Sequence, residues 1–149
     1  MELKPTKTSF GRNETFNLRY SWLNKGLKEF KENKNIFSSE AAPLVLGVGK
    51  NMVNSIKYWL GAYQVVDFSL EQAEQTEFGT MLNRFDPYLE NPSSLWFLHW
   101  KLCTNPDSAT FYYWFFNHFK KNKFTKIELV NDVTEWLDDK GCKKVSPST

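Results

Sequence analysis

The sequence predicts a mainly α-helical fold: a winged helix-turn-helix-like N-terminal half with a small β-hairpin, then an aromatic-rich helical C-terminal half. Three observations carry this expectation. Apolar residues recur at three- and four-residue spacing over 18–30, 50–63 and 127–137, the signature of helices with one buried face. A glycine-flanked turn, Gly47-Val48-Gly49, separates a short apolar segment from the second of these runs. Aromatic residues make up 17% of the 149 positions, so flat rings must build much of the interior. One compact unit is expected, subdivided into a winged-helix-like part at 10–76 and a helical part at 77–141. The polar end, 142–149, reads as a disordered tail.

Taken in order, "MELKPTKTSFGRNETF" reads as an arm anchored by Phe10 and Phe16. The first helix starts near Leu18, with Trp22, Leu23, Leu27 and Phe30 on its apolar side; Gly26 weakens it and marks a point where it can kink. Ser38 or Ser39 is a suitable N-cap for a short helix over 41–46, with Pro43 in its first turn. The next helix runs from Lys50 to Tyr63 and buries Met52, Val53, Ile56, Trp59, Leu60 and Tyr63. "YQVVDFSLEQ" and the residues after it suggest a short hairpin, and "TEFGTMLNRF" a short helix closed by "DPYLENP". Two very apolar helices follow, "SSLWFLHWKL" and "SATFYYWFFNHF", joined by "CTNPD". Thr125 and Glu128 form a capping box for the last helix, which stops at Lys140-Gly141.

Net charge is only +2, but it is unevenly spread: residues 1–57 carry ten Lys/Arg against five acids, and residues 58–119 two against seven. A basic N-terminal third points toward a polyanion, while a solvated lysine-rich helix is the plainer alternative. Cys103 and Cys142 lack any ligand spacing, so no disulfide framework, metal site or cofactor is expected. No apolar leader and no run of about 18 apolar residues is seen, from which a cytoplasmic protein and no membrane partner are expected.

Gly49-Lys50 at a helix start invites a phosphate-loop reading, which fails on spacing. Leu44 and Asn51 stand where GxxxxGK[ST] requires glycine and a hydroxyl residue. What survives is a helix N-terminus and a polar face of Lys50, Asn51, Asn54, Ser55, Lys57 and Tyr58, without an acid. Those side chains suit a DNA major groove and its phosphates, with Arg12 and Arg19 as added phosphate contacts. Every amphipathic helix has a polar face, so ordinary solvation remains the alternative. His99, His118, Asp86 and Glu90 show no partners at local spacing and read as structural; no enzyme is expected. The run 111–119 is apolar around its whole circumference, which suggests a partner interface at Tyr112, Tyr113 and Phe116, a homodimer, or packing against a further part of a longer polypeptide.

The blocks "GRNETFNLRYSWLNKG", "APLVLGVGKNMVNSIKYWL" and "DPYLENPSSLWFLHWKL" resemble an uncharacterised bacterial family classed only as a domain of unknown function. The likeness extends over residues 10 to about 137. That family is encoded in phage-defence islands, beside DNA phosphorothioation or phage-exclusion genes, and its members are longer than this chain. Asn13 stands where the family form "GHETF" has histidine, which puts any role of that histidine in doubt here. The resemblance implies a DNA-binding, non-catalytic component or regulator of a defence or DNA-modification system, with double-stranded DNA and other defence proteins as partners. The competing expectation is a protein-interaction subunit working through 111–119, with the winged-helix fold as scaffold.

Overall fold

The computed structural model describes residues 5–142. These residues form seven α-helices, one 3-10 turn and one two-stranded antiparallel hairpin. They divide into two compact units: residues 12–101, and residues 5–11 together with 102–142. The boundary expected between residues 76 and 77 falls inside the first unit. There Thr76 joins the hairpin to the helix after it: its Oγ1 donates to Gln64 O at 2.6 Å and accepts from Gly79 N–H at 2.9 Å. Of the tail expected at 142–149, residues 143–149 lie outside the described residues, whereas Cys142 is half-buried and donates its N–H to Leu137 O.

In the first unit, α1 (Tyr20–Glu32) buries Trp22, Leu23, Leu27 and Phe30, the expected stripe. It does not break at Gly26. A Cβ there would lie 2.5 Å from Ile56 Cγ2 and 3.0 Å from Leu60 Cδ1, so the missing side chain lets the neighbouring helix approach closely. A 3-10 turn, Ile36–Ser38, leads to α2 (Ala42–Leu46), which ends on Gly47 in the left-handed region. Ala41 rather than a serine precedes α2 as its cap residue, and Ser39 Oγ accepts from Ala41 N–H. Gly49 opens α3 (Lys50–Ala62). Its buried face, Val53, Ile56, Trp59 and Leu60, belongs to the same core as Leu46 of α2.

The hairpin is short: β1 (Val66–Asp67) pairs with β2 (Glu74–Gln75), Val66 opposite Gln75. The two remaining helices are α4 (Glu77–Phe85) and α5 (Pro92–Cys103), the latter reaching the end of this unit in its last turn. Between them Asp86 acts as a local staple, Oδ1 accepting from Glu90 N–H and Oδ2 from Asn91 N–H. Its carboxyl is held below the ordinary range chiefly by a hydrogen bond from the Ser94 side chain; desolvation opposes this, and the two backbone donors add to the lowering. Asp86 thus holds the turn between α4 and α5 through backbone donors that include Glu90 N–H.

The second unit is closed by residues distant in sequence. Thr6 donates from its N–H (2.6 Å) and hydroxyl (2.9 Å) to the Asp107 carboxylate, and Ser9 N–H donates to Thr110 Oγ1. Helices α6 (Thr110–Asn117) and α7 (Lys126–Asp139) pack through Trp114, Val133 and Leu137, with Phe10, Phe111, Phe115 and Phe119 around them. The capping box at Thr125 and Glu128 is complete. Cys103 is buried, which pushes its thiol up to about 11 and leaves it a poor nucleophile. Among the described residues no helix is long and apolar enough to cross a membrane.

Candidate nucleic-acid interface

Successive residues of a helix are turned by about 100°, so 50, 54, 57, 58 and 51 share one arc of α3 opposite Val53, Ile56 and Leu60. Lys50, Asn51 and Asn54 are exposed there, and Lys57 and Tyr58 are half-buried. The Lys57 ammonium sits 5.3 Å from the Phe68 ring centre, and the Tyr58 ring meets Trp59 edge-on at 5.0 Å. Ser55 corrects the sequence reading. It has no exposed surface, and its hydroxyl makes no hydrogen bond among the described residues. The reason is angular: Ser55 falls beside Ala62 at the edge of the buried arc, so a polar side chain there faces the core.

The arc begins at a helix start well suited to an anion. Gly49 has no side chain to cap the first-turn N–H groups, and the first turn contains no acid. On the same unit, the loop before α1 brings Arg12 and Arg19, both exposed, with the Arg19 guanidinium 5.3 Å from the Trp22 ring centre. Trp59 Nε1 donates to Phe16 O at 3.2 Å, and Asn13 Nδ2 donates to the same carbonyl, so the core side of α3 anchors this loop. Glu14 and Thr15 both take left-handed backbone angles, φ 51° and 64°, unusual for consecutive non-glycine residues. Their conformation delivers the Glu14 carboxylate to Asn54 Nδ2 at 3.5 Å. The face that is free of acid in sequence thus has one beside it in space, supplied by a loop 40 residues earlier.

Of the trio expected as a partner interface, Tyr113 is buried against His118 and Trp136, Tyr112 is half-buried with its phenol raised by desolvation, and only Phe116 is exposed. Helix α6 finds its apolar partners in α7 and in Phe10, Phe119 and Phe124, which reduces the surface left for another protein.

Exposed aromatics concentrate elsewhere. Between α4 and α5 lies an open groove of about 600 Å³ lined by Phe78, Met81, Phe85 and Phe97, with Gln64, Asp86 and Lys101 among its polar residues. Phe78 and Phe97 stack across it at 6.3 Å, and Gln64 Nε2 donates to Lys101 O at 2.7 Å beneath it. The sequence reading passed over this groove. The available signal was the pair Trp96 and Trp100, four residues apart on a helix whose opposite side already holds Leu98 and Leu102.

Helices α2 and α3 with the hairpin, and α3's polar arc, define a small, mainly helical unit with one basic, asparagine-bearing helix face. The chain belongs to the family described as Protein of unknown function (DUF4007), whose model matches residues 10–149. It is similar to two solved structures. One, "Magnesium ion-bound SspB crystal structure", has 30% identity and a TM-score of 0.84, covering 94% of this chain and 45% of its own. The other, "SspB crystal structure", has 29% identity and a TM-score of 0.77, covering 94% and 46%. The chain therefore spans less than half the length of these relatives. No curated protein matches it.

Proposed function

We propose that the chain binds duplex DNA through the outer arc of α3 and acts as a non-catalytic component or regulator of a bacterial phage-defence or DNA-modification system. In this reading α2, the Gly47–Gly49 turn and α3 are a helix-turn-helix, with β1–β2 as a rudimentary wing. The observation that carries it is the uncapped α3 N-terminus with Lys50, Asn51 and Asn54 exposed in register behind it. Backbone N–H groups and Lys50 take phosphates, and Asn51 or Asn54 reads an adenine edge. Arg12, Arg19 and Lys57 add charge, Tyr58 adds a phosphate donor, and Ser55 takes no part. The defence setting rests on the three sequence blocks and the family they resemble.

One relative is described with magnesium. Among the described residues of this chain, no group of three or more His, Cys, Asp or Glu is placed to hold a metal. The reading through 111–119 keeps Phe116 and the half-buried Tyr112 and loses Tyr113.

Fluorescence anisotropy with a labelled duplex of about 25 base pairs tests the DNA reading at two salt concentrations. Lys50→Glu is expected to weaken binding by about tenfold or more and to lower the salt slope by about one. Unchanged affinity in Lys50→Glu and Asn54→Ala would remove α3 as the reading head.

A further inference from the structure

The α4–α5 face presents an unusual amount of apolar surface. Met81, Phe85, Trp96, Phe97 and Trp100 are each more than half exposed. With the four aromatic side chains offering roughly 150–250 Å² apiece and Met81 adding to them, the five leave on the order of 600 Å² of apolar area in solvent. One side of a standard interface buries about 800 Å², of which roughly 60–65% is apolar, so this face alone supplies the apolar share. The surface is also continuous: Phe78 stacks on Phe97 at 6.3 Å, and Phe97 meets Trp100 edge-on at 6.2 Å.

Its relief points to the occupant. Trp96 and Trp100, one turn apart, form a ridge along α5, and the groove between α4 and α5 runs beside that ridge. Side chains spaced by four residues are the ridges that fill helix–helix grooves. A ridge and a groove side by side on one face complement themselves under two-fold rotation, which is the requirement of an isologous contact. The groove is braced before any partner arrives, by the Asp86 staple at one end and the Gln64 to Lys101 bond below. Asp86, the acid at the turn, already accepts from its own loop, so burial of this end would not strand a bare carboxylate.

We infer that the α4–α5 face is a homodimer interface, in which the Trp96–Trp100 ridge of each copy seats in the Phe78/Met81/Phe85/Phe97 groove of the other. This inference is independent of DNA binding. Sedimentation equilibrium of the full chain over about 1–200 µM tests it. The expected result is a concentration-dependent doubling of the 17.5 kDa mass, insensitive to salt. Phe85→Glu and Trp100→Glu are each expected to raise the dimer dissociation constant by about 100-fold, as central aromatic anchors do. Phe116→Glu, on α6, leaves it unchanged. Phe85 in the groove and Trp100 on the ridge are both exposed, and circular dichroism checks that the variants fold; Trp96→Ser is the milder second variant. A chain monomeric at every concentration overturns the inference and leaves the face to a different protein. Association that survives both glutamates, or that Phe116→Glu abolishes, overturns it equally.

Discussion

Single residues decide how closely the elements of the first unit approach, and two glycines do so in different ways. A Cβ on Gly79 would run into the backbone carbonyl oxygen of Val65, which cannot swing aside, whereas a Cβ on Gly26 meets the side chains of Ile56 and Leu60. Gly79→Ala is therefore expected to cost about 2–4 kcal/mol and Gly26→Ala about 1–3 kcal/mol, since overpacking a core forces side chains off their rotamers. Thermal denaturation of the two variants reads the order; equal losses would show that the Val65 carbonyl moves freely. Ser55 carries the opposite sign. Its hydroxyl is buried without a hydrogen bond, so Ser55→Ala is expected to stabilise by about 1 kcal/mol, a rise of roughly 2–4 °C in Tm, while DNA affinity stays unchanged. A drop in affinity with a preserved Tm would return Ser55 to the reading face.

At the scale of elements, local chemistry was legible in the sequence and long-range pairing was not. Thr125 and Glu128 announce α7, and Gly47 announces the end of α2, because capping is settled within four residues. The Gly26 contact depends on α3, 30 residues away, so in sequence it reads only as a weak point. The Thr6 to Asp107 bonds join positions 101 apart, and no periodicity reports that residues 5–11 belong with the C-terminal unit. The exposure of the α3 face was legible at Lys50, Asn51 and Asn54, where the helical period suffices. It was misread at Ser55, where the edge of the arc depends on what packs beside it, and around Glu14, which arrives from another loop. The caps also set a pH dependence. Glu128 is lowered first by the Thr125 backbone N–H and then by the Thr125 hydroxyl. Asp107 is raised by partial burial but held lower overall by hydrogen bonds from Lys7 and Thr6. Both carboxyls titrate lower folded than unfolded, so their contribution is full above the unfolded pKa, near 4, and is lost as pH falls through the folded value. Tm is expected to fall between about pH 5 and pH 3, and Glu128→Gln, which keeps an acceptor for the cap, to flatten that fall. An identical acid profile in the variant would show that the α7 cap does not contribute.

For the whole molecule, the proposed function requires a chain of net charge +2 to hold a polyanion. Residues Arg12–Lys101 carry ten Lys/Arg and ten Asp/Glu, so the unit bearing α3 has no net field to draw DNA from a distance. Binding must come from contacts made locally, and the cations of the proposed interface number four: Arg12, Arg19, Lys50 and Lys57. Each phosphate neutralised contributes about 0.9 to the slope of log affinity against log salt, which limits a protomer to a slope of about −3.6 and to modest affinity. Glu14 works against that cluster from 3.5 Å beside Asn54. Glu14→Gln keeps an acceptor for Asn54 and removes the charge, so it is expected to tighten duplex binding by a few-fold at low salt, with the gain vanishing as salt rises. Anisotropy titrations from about 50 to 300 mM salt measure both quantities. A slope much steeper than −4 would place the DNA on cations outside this loop and helix, and unchanged affinity in Glu14→Gln would show that the phosphates pass this loop at a distance.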